Sequence, residues 1–343
     1  MLAVIKDLPQ PGISFKEVPK PKLGRDQVLV KVSRASICGS DLGLYEYTPA
    51  YAGFAKLPII PGHEFAGEVV EVSPDVSEFD VGERVVAESV VTCNRCKYCR
   101  SGQANLCSEF KIFGLHTNGG FAEYAVVPVR HIHRLSEKIT FQEAALIEPL
   151  SVTCHALFDI AKIEVADYVE VIGPGPIGLL AAEVARTAGC ANLLITGIAA
   201  DRRRLDLAGR MGFVTLNSDE IDPVHETLDR TEGLGADIVV VAAGAGKALN
   251  QACQVVRKGG KIINIAIYPN PVELTVTSLV RRQVSLLGVY ASVWEDYERA
   301  ITLVSERRVD LNPLVTHTFT VTQAGAAFEA AKSREGCKVQ LAM

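Results

Sequence analysis

The chain has no long uncharged apolar run, no excess of positive charge and few aromatic residues. Its 343 residues include 35 Lys and Arg against 40 Asp and Glu, giving a formal net charge of −5, and aromatic residues make up 6%. Because nucleic-acid surfaces are usually basic, we expect no nucleic-acid partner. No segment has the roughly 20 apolar residues of a membrane span, and the first residues lack the basic and apolar regions of a signal peptide. The sequence therefore predicts a soluble cytoplasmic protein with no membrane partner.

What the chain does contain is ample apolar material and many cysteines. Hydrophobic residues make up 48% of the sequence, and the nine cysteines are many for a reducing compartment. The length predicts two or three domains. Clustered cysteines in a reducing compartment are more typical of metal ligands than of disulfides.

Four of the cysteines form the pattern Cys93-x2-Cys96-x2-Cys99-x7-Cys107. Four thiolates at this spacing can complete a tetrahedral shell around zinc. Disulfides are one alternative, and the expected reducing compartment disfavours them. A nucleic-acid-binding finger is the other, and the acidic character of the chain disfavours it. Four protein ligands leave no open coordination position, so we predict a structural zinc that carries no chemistry.

A second group of possible metal ligands comprises Cys38, His63 and Glu64. Alone, Cys38 is typical of a small buried side chain, and His63 of a structural histidine. His63 and Glu64 are adjacent, so both can face one metal only if the backbone bends, and Gly62 permits such a bend. The spacing leaves a metal site and a packing role equally open. Glu148 is a further carboxylate, placed just before a proline at the expected domain boundary.

The stretch from Tyr168 to Gly178 is an alternating apolar run that ends in a glycine turn and continues as an apolar-periodic segment. This pattern predicts a strand, a tight turn and a helix, the context that the dinucleotide fingerprint G-x-G-x-x-G requires. The N-terminus of such a helix offers free N–H groups to phosphates. We expect the following turn residues to bind a dinucleotide: Gly173, Gly175, Pro176, Ile177 and Gly178.

The pattern of the chain changes near the fingerprint. Short alternating strands before it predict mostly antiparallel sheet, whereas strands alternating with helices after it predict a doubly wound Rossmann parallel sheet and an α/β fold. We expect a catalytic domain at 1–150 and 291–343 and a dinucleotide-binding domain at 151–290. Ligands lie at the carboxyl ends of such strands. Ala243 and Ile265, near the ends of strands predicted over 237–242 and 261–267, are therefore further expected cofactor contacts.

Taken in order, these motifs resemble those of the zinc-dependent medium-chain dehydrogenase/reductase family, and most closely its sorbitol and threonine dehydrogenase branch. The resemblance covers essentially the whole chain. It is carried by the following segments: Ile37-Cys38-Gly39-Ser40-Asp41, Gly62-His63-Glu64, the four-cysteine pattern, Glu148-Pro149, the glycine turn and Pro313-Leu314-Val315-Thr316-His317.

The resemblance implies a GroES-like catalytic domain and two zinc ions per subunit. The catalytic zinc would lie on Cys38, His63 and Glu64, with Glu148 beside it, and the structural zinc on the four-cysteine group. The implied reaction transfers a hydride between NAD(P) and a secondary alcohol or ketone, with Ser40 passing the proton outward; a turn-capping role is the alternative for Ser40. The family likeness also implies a homotetramer or homodimer.

The chain departs from the family pattern in two places. Many relatives carry a histidine five residues after the cysteine, as part of the proton relay, and this chain has Gly43 there.

The acidic residue that normally binds the adenosine ribose after the second strand is also absent, since Gly197 and Ala199 occupy the candidate positions. The nearby Arg202, Arg203 and Arg204 could pair with a 2′-phosphate, so we favour NADP over NAD; in the alternative, the arginines are solvated and Asp201 binds the ribose.

Three functions are compatible with these features. The favoured one is a zinc-dependent dehydrogenase acting on a polyol or sugar derivative. A threonine dehydrogenase type of oxidation of an amino alcohol is the second, and Gly43 weighs against it. A protein of another class, which binds a nucleotide and uses zinc only structurally, is the third.

Overall fold

The computed structural model describes all residues from Met1 to Met343, and they form two compact units. Unit 1 comprises residues 1–151 and 291–343, and unit 2 comprises residues 152–290. The first of these boundaries lies one residue after the one expected from the sequence. No helix has the length and apolar character that crossing a membrane requires.

Unit 1 contains short strands and short helices before residue 152. Its strands there are β1 (Leu2–Ile5), β2 (Ser14–Glu17), β3 (Gln27–Ser36), β4 (Glu64–Val72), β5 (Arg84–Ala87), β6 (Val90–Val91), β7 (Lys111–Ile112), β8 (Tyr124–Pro128) and β9 (Ile132–Arg134). Its helices there are α1 (Gly39–Tyr45), α2 (Pro49–Ala52), α3 (Lys97–Arg100), α4 (Phe141–Ala144) and α5 (Ile147–Cys154).

Unit 2 alternates strands and helices. Its strands are β10 (Tyr168–Ile172), β11 (Asn192–Gly197), β12 (Val214–Asn217), β13 (Ala236–Val241), β14 (Val256–Asn264) and β15 (Ser285–Gly288). Its helices are a π-helical stretch at His155–Ala161 that continues α5, then α6 (Pro176–Ala188), α7 (Arg202–Arg210), α8 (Pro223–Arg230), α9 (Gly246–Val255) and α10 (Val276–Arg282). The chain then returns to unit 1 as α11 (Trp294–Ser305), β16 (Val315–Thr320), α12 (Ala324–Lys332) and β17 (Lys338–Ala342).

The main sheet of unit 1 is centred on β3, which pairs antiparallel with β4, β8 and β17. Alternating valines of β3 face a buried cluster that includes Phe65 and Phe121. The pairing of Ser36 with Glu64 places the end of β3 beside the start of β4. Segments that are far apart in sequence therefore meet at one end of this sheet.

Unit 2 is built on a six-stranded parallel sheet with the strand order β12-β11-β10-β13-β14-β15. The predicted doubly wound α/β fold is thus confirmed. The chain leaves β10 toward β11 on one side and reaches β13 on the other. The turn after β10 therefore lies where the strand order reverses, the usual ligand position in such sheets.

The strand predicted over 261–267 was misplaced at both ends. The observed β14 begins at Val256, and it ends at Asn264 because the N–H groups of Ile265 and Ala266 both turn toward the carbonyl of Val241. Ile265 consequently lies in the loop that follows the strand. This position is still at the carboxyl end of the sheet.

Glu170 is a fully buried carboxylate in the middle of β10. It faces the side of the sheet where Tyr168 and Ile172 join an apolar cluster. Burial raises the pKa of Glu170 to about 7, an effect that hydrogen bonds from Thr227 and Gln251 only partly offset. A neutral acid and a carboxylate are therefore both accessible to Glu170 near neutral pH.

We predict that Glu170→Gln makes the protein less sensitive to rising pH. The pKa of Glu170 is higher in the folded than in the unfolded chain, so stability is lost as pH rises from about 4.5 to about 7. This shift corresponds to about 3 kcal/mol. The variant should match the wild type in Tm near pH 5 and exceed it near pH 8. Glu273→Gln, at an exposed position, is the control, and equal pH slopes in all three proteins would contradict the prediction.

Candidate metal centre and nucleotide site

Asp41 joins two segments that carry predicted metal ligands. Its Oδ2 accepts a hydrogen bond from the backbone N–H of Cys38 at 3.0 Å, and its Oδ1 accepts one from the N–H of Gly62 at 3.2 Å. The same Oδ1 lies 4.0 Å from Nδ1 of His63. Because Asp41 is 2% exposed, these contacts form in the interior. The result is that Cys38 and His63 lie side by side.

Gly62 supplies the bend that adjacent ligands require. Its φ is +92°, and a Cβ built on it would lie 2.4 Å from the ring of Phe121. Only glycine fits this conformation and this close approach without strain. The bend allows ligand atoms of Cys38, His63 and Glu64 to lie within 4.8 Å of one another.

Glu64 is held by a lysine from the far end of the chain. Nζ of Lys338 donates to Oε1 of Glu64 at 2.7 Å and lies 2.5 Å from Oε2, which has the distance of an ion pair but not the geometry of a hydrogen bond. Both side chains are buried. The negative charge of buried Glu148 also acts on Glu64 and on Lys338. Glu64, the predicted third ligand, therefore lies beside Cys38 and His63 and at the same time forms an ion pair with Lys338.

The buried group carries an excess of negative charge. Three carboxylates and the Cys38 thiol face a single lysine, and none of the carboxylates is more than 6% exposed. Burial raises the pKa of Glu64 to about 7 despite the opposing charge of Lys338. Burial lowers the pKa of His63, but the negative charges of Cys38 and Asp41 outweigh it and hold that pKa well above its ordinary value. The raised pKa of His63 indicates that the surrounding negative charges favour a cation at this position.

This group fits a zinc ion. A thiol, an imidazole and carboxylates are ligands that zinc takes in catalytic sites. Nδ1 of His63 is buried without a hydrogen-bond partner, and Oδ1 of Asp41, at 4.0 Å, is beyond hydrogen-bond distance. The excess negative charge would be reduced by a divalent cation.

The four cysteines of the second pattern also converge, and we name residues 93–107 the cysteine lobe. Ligand atoms of Cys93, Cys96, Cys99 and Cys107 lie within 4.8 Å of one another, and none of the four is in a disulfide. Backbone N–H groups of Cys93 and Glu109 each donate to Sγ of Cys107 at 3.3 Å. Hydrogen bonds from backbone N–H groups lower the pKa of Cys96 to about 6. Burial raises the pKa of Cys99 to about 12, so the four side chains are a preformed set of sulfur ligands rather than of free thiolates. Four sulfur ligands with backbone donors fit a closed tetrahedral zinc site, in which the metal favours the thiolate form.

The glycine turn in unit 2 has the geometry that the fingerprint predicts. Gly173 has φ of +107°, and a Cβ on Gly178 would lie 1.9 Å from the carbonyl oxygen of Gly173. Gly175 is the N-cap of α6, and Pro176 is its first residue. A Cβ on Gly175 would meet only Nη1 of Arg204, at 4.0 Å. The turn therefore leaves open space above the helix N-terminus, where a phosphate can approach the backbone.

Side chains near the end of β11 bear on the choice of cofactor. A Cβ on Gly197 would lie 2.8 Å from Pro174, so an acidic side chain cannot occupy this position without moving the turn. Asp201 accepts a hydrogen bond from the N–H of Ile198, and Asp219 accepts one from the N–H of Ala199. Of the three predicted arginines, Arg202 and Arg203 are exposed, whereas Arg204 is half-buried beside the turn.

Gly43 stands where the family resemblance leads us to expect a relay histidine, and its surroundings explain the absence of a side chain. A Cβ on Gly43 would lie 2.3 Å from the ring of Tyr51. The hydroxyl of Tyr45 donates to Oε1 of Glu329 at 2.9 Å. Ser40 is half-buried in the first turn of α1, two residues beyond Cys38.

Sequence reasoning missed three residues that shape these sites. Asp41 was quoted in a motif but given no role, although an acid at the third position of a helix is a known capping signal. Lys338 lies in a buried strand, and its partner Glu64 is 274 residues away, so no local pattern points to the pair. Asp219 reaches Ala199 only through the pairing of β11 with β12.

Comparison with known proteins agrees with this geometry. The chain matches the family described as alcohol dehydrogenase GroES-like domain over residues 24–137 and the family described as zinc-binding dehydrogenase over residues 176–306. It is 36% identical to a sorbitol dehydrogenase of Halalkalibacterium halodurans, over 99% of each chain. It is also 36% identical to an L-threonine 3-dehydrogenase of Pyrococcus abyssi, over 93% of this chain and 91% of the relative. Among solved structures, the alcohol dehydrogenase TADH of Thermus sp. ATN1 has a TM-score of 0.92 and 28% identity, covering 100% of this chain and 99% of that one.

Proposed function

The chain belongs to the zinc-dependent medium-chain dehydrogenase/reductase family and is an NAD(P)-dependent alcohol dehydrogenase, and we propose that its substrate is the secondary hydroxyl of a polyol or sugar derivative. The observation that carries this proposal is the convergence of half-buried Cys38 with buried His63 and Glu64. The likeness to a sorbitol dehydrogenase supports the substrate class. The likeness to a threonine dehydrogenase supports the alternative, but Gly43 lacks the side chain that we expect in that branch.

Cys38, His63 and Glu64 would hold the catalytic zinc, with Glu148 as a further carboxylate beside it. When bound, zinc acts as a Lewis acid on an alcohol or carbonyl oxygen. Asp41 keeps the two ligand segments in place and faces the imidazole of His63. Lys338 neutralises part of the charge on Glu64. These contacts would hold the ligands in one arrangement before any substrate enters.

Ser40 would move the substrate proton. Its place in the first turn of α1 sets its hydroxyl two residues from Cys38, and a hydroxyl both donates and accepts hydrogen bonds. The ring of Tyr51 fills the space beside Gly43. The proton therefore needs a route beyond Ser40 that does not use a side chain at residue 43.

The glycine turn would hold the pyrophosphate of a nicotinamide dinucleotide, which accepts or donates the hydride at its ring. Contacts would come from the following residues: Gly173, Gly175, Pro176, Ile177, Gly178, Ala243 and Ile265. Contact between Pro174 and Gly197 excludes an acidic ribose partner at that position, and Asp201 already caps Ile198. Arg204 is the arginine nearest the turn. These features support a preference for NADP, with Asp219 as the residue that could instead serve NAD.

The same protein would form a homo-oligomer through an edge of the unit 2 sheet. The strand β15 pairs with β14 alone, and Leu286 on it is exposed. Val276 and Val280 of the neighbouring α10 are exposed as well. Unpaired apolar edges of this kind are templates for pairing with another chain.

Wild-type protein should reduce NADP in the presence of polyols, with a higher kcat/KM for NADP than for NAD, because Arg204 offers a charge partner to the 2′-phosphate. A panel of polyols, sugars and L-threonine with either cofactor, followed by the absorbance of the reduced nicotinamide, measures this. L-threonine as the best substrate would favour the alternative, and no reduction by the zinc-loaded protein would contradict the proposal.

The cofactor preference has a matched pair of variants. Arg204→Leu should lower kcat/KM for NADP by about tenfold, the order expected for losing a charge-assisted hydrogen bond, and leave that for NAD nearly unchanged. Arg203→Leu, at an exposed neighbouring position, should change neither. A wild type that prefers NAD would overturn the NADP proposal, and equal losses for both cofactors in Arg204→Leu would place this arginine at the pyrophosphate.

Each ligand cluster should lose its own zinc when a cysteine is removed. In Cys38→Ala the metal content measured by inductively coupled plasma mass spectrometry should fall by one ion per chain with activity abolished, because an open catalytic site has lost a ligand. Cys107→Ala should also lose one ion and lower the Tm, since closed structural sites stabilise the fold. Cys190→Ala, outside both clusters, should keep the full content. An unchanged content in Cys38→Ala would contradict the catalytic site.

Sedimentation velocity should give a mass well above the 36.9 kDa of one chain. A lysine on an apolar edge opposes pairing, so Leu286→Lys should shift the distribution toward the monomer. Ile221→Lys changes another exposed apolar residue of unit 2 and should leave the distribution unchanged. A monomeric wild type would refute the oligomer.

A further inference from the structure

Glu170 lies beneath the glycine turn with only neutral hydrogen-bond partners. Oγ1 of Thr227 on α8 donates to its Oε2 at 2.7 Å, and Nε2 of Gln251 on α9 donates to its Oε1 at 2.9 Å. The charge of Glu170 acts on Tyr168, two residues earlier on the same strand. Its surroundings are otherwise those of the apolar cluster on this face of the sheet.

Gln251 extends this contact to the end of β11, where the side chain of Thr196 is also a direct hydrogen-bond partner of Glu170. The same Nε2 that donates to Glu170 also donates to Oγ1 of Thr196 at 3.0 Å. The backbone carbonyl of Thr196 accepts a hydrogen bond from the N–H of Gly173 at 2.8 Å. A continuous chain of hydrogen bonds thus runs from Glu170 to the first glycine of the turn.

Packing alone does not explain the carboxylate of Glu170, because burying it costs folding free energy. Burying a charged group without a cation opposes folding, and the flanking Val169 and Val171 show that apolar side chains suit this strand. A carboxylate has one property that valine lacks. It fixes the two hydrogens of the Gln251 amide, one on Glu170 and one on Thr196.

We propose that Glu170 is a positioning residue for the dinucleotide, which orients Gln251 so that Gln251 braces Thr196 against Gly173 at the phosphate-binding turn. This inference depends on the proposed function, since it takes the turn to be the cofactor site. Glu170 itself does not touch the cofactor. It acts through a network that holds the turn in the conformation that binds phosphate.

Three variants separate positioning from simple stability. Glu170→Leu removes the acceptor, and Gln251→Leu removes the amide that reaches Thr196. Each should raise the Kd for NADPH about three- to tenfold, the effect of a lost hydrogen bond, while kcat at saturating cofactor stays within about twofold. Thr227→Val removes the hydrogen bond from α8 to Glu170 and leaves the contacts of Gln251 and Thr196 intact. It should lower the Tm and leave the Kd unchanged.

The conservative variant Glu170→Gln should restore the NADPH binding that Glu170→Leu loses. In Glu170→Gln the side-chain carbonyl can still accept from Gln251, and the Thr227 hydroxyl can accept from the new amide. This variant should bind NADPH as tightly as the wild type. If Glu170→Leu does not fold, Gln251→Leu carries the test.

Binding is measured directly, by the change in NADPH and NADH fluorescence on titration with protein, so neither turnover nor the catalytic zinc is needed. A wild type that binds neither nucleotide would refute the proposed function. A wild type that binds, with Gln251→Leu binding equally well, would refute the positioning role alone. A Kd that follows the Tm across all variants, including Thr227→Val, would also refute it.

Discussion

The buried carboxylate of Asp41 is the constraint on which the proposed metal centre depends. It accepts the backbone N–H of Cys38 with one oxygen and the N–H of Gly62 with the other. Without Asp41 these buried donors would have no partner, and without them the carboxylate would be too expensive to bury. These two hydrogen bonds satisfy the backbone donors and the carboxylate together, and they hold the end of β3 next to the start of β4. The proximity of Cys38 to His63 follows from this one side chain together with the pairing of Ser36 and Glu64.

The buried negative charge of the site couples metal binding to folding, because the same charge that opposes folding attracts a cation. The carboxylates of Asp41, Glu64 and Glu148 lie in the interior near a thiol, and the buried basic groups that face them are Lys338 and His63. A protein interior does not hold such an excess unless protons or a cation compensate it. The raised pKa values of His63 and Glu64 describe compensation by protons. A metal competes with those protons, so metal affinity must weaken as the pH falls.

Local patterns in the sequence were enough for much of the architecture. The glycine turn, the four-cysteine spacing and the alternation of strands and helices each depend on residues close together in the chain. The doubly wound parallel sheet that the alternation predicts is the one found in unit 2. The pair of Glu64 and Lys338 could not be predicted, because it depends on β17 pairing with β3. The reason for glycine at residue 43, the ring of Tyr51, is likewise a matter of packing. The sequence did not predict the end of β14. The strand ends where the backbone N–H groups of the next two residues both donate to the carbonyl oxygen of Val241, and the hydrophobic periodicity of the sequence carries no information about these bonds.

The two sites share one physical device. In unit 1 the carboxylate of Asp41 accepts backbone N–H groups directly and so sets where the ligands lie. In unit 2 Glu170 is further from the turn, and it is linked to Gly173 through Thr196, which it contacts both directly and by way of Gln251. Hydrophobic packing is non-directional and cannot fix the orientation of an amide or a turn, whereas a buried acceptor can. Each unit therefore gives up some stability to bury a carboxylate, and in return the backbone beside its site adopts one conformation.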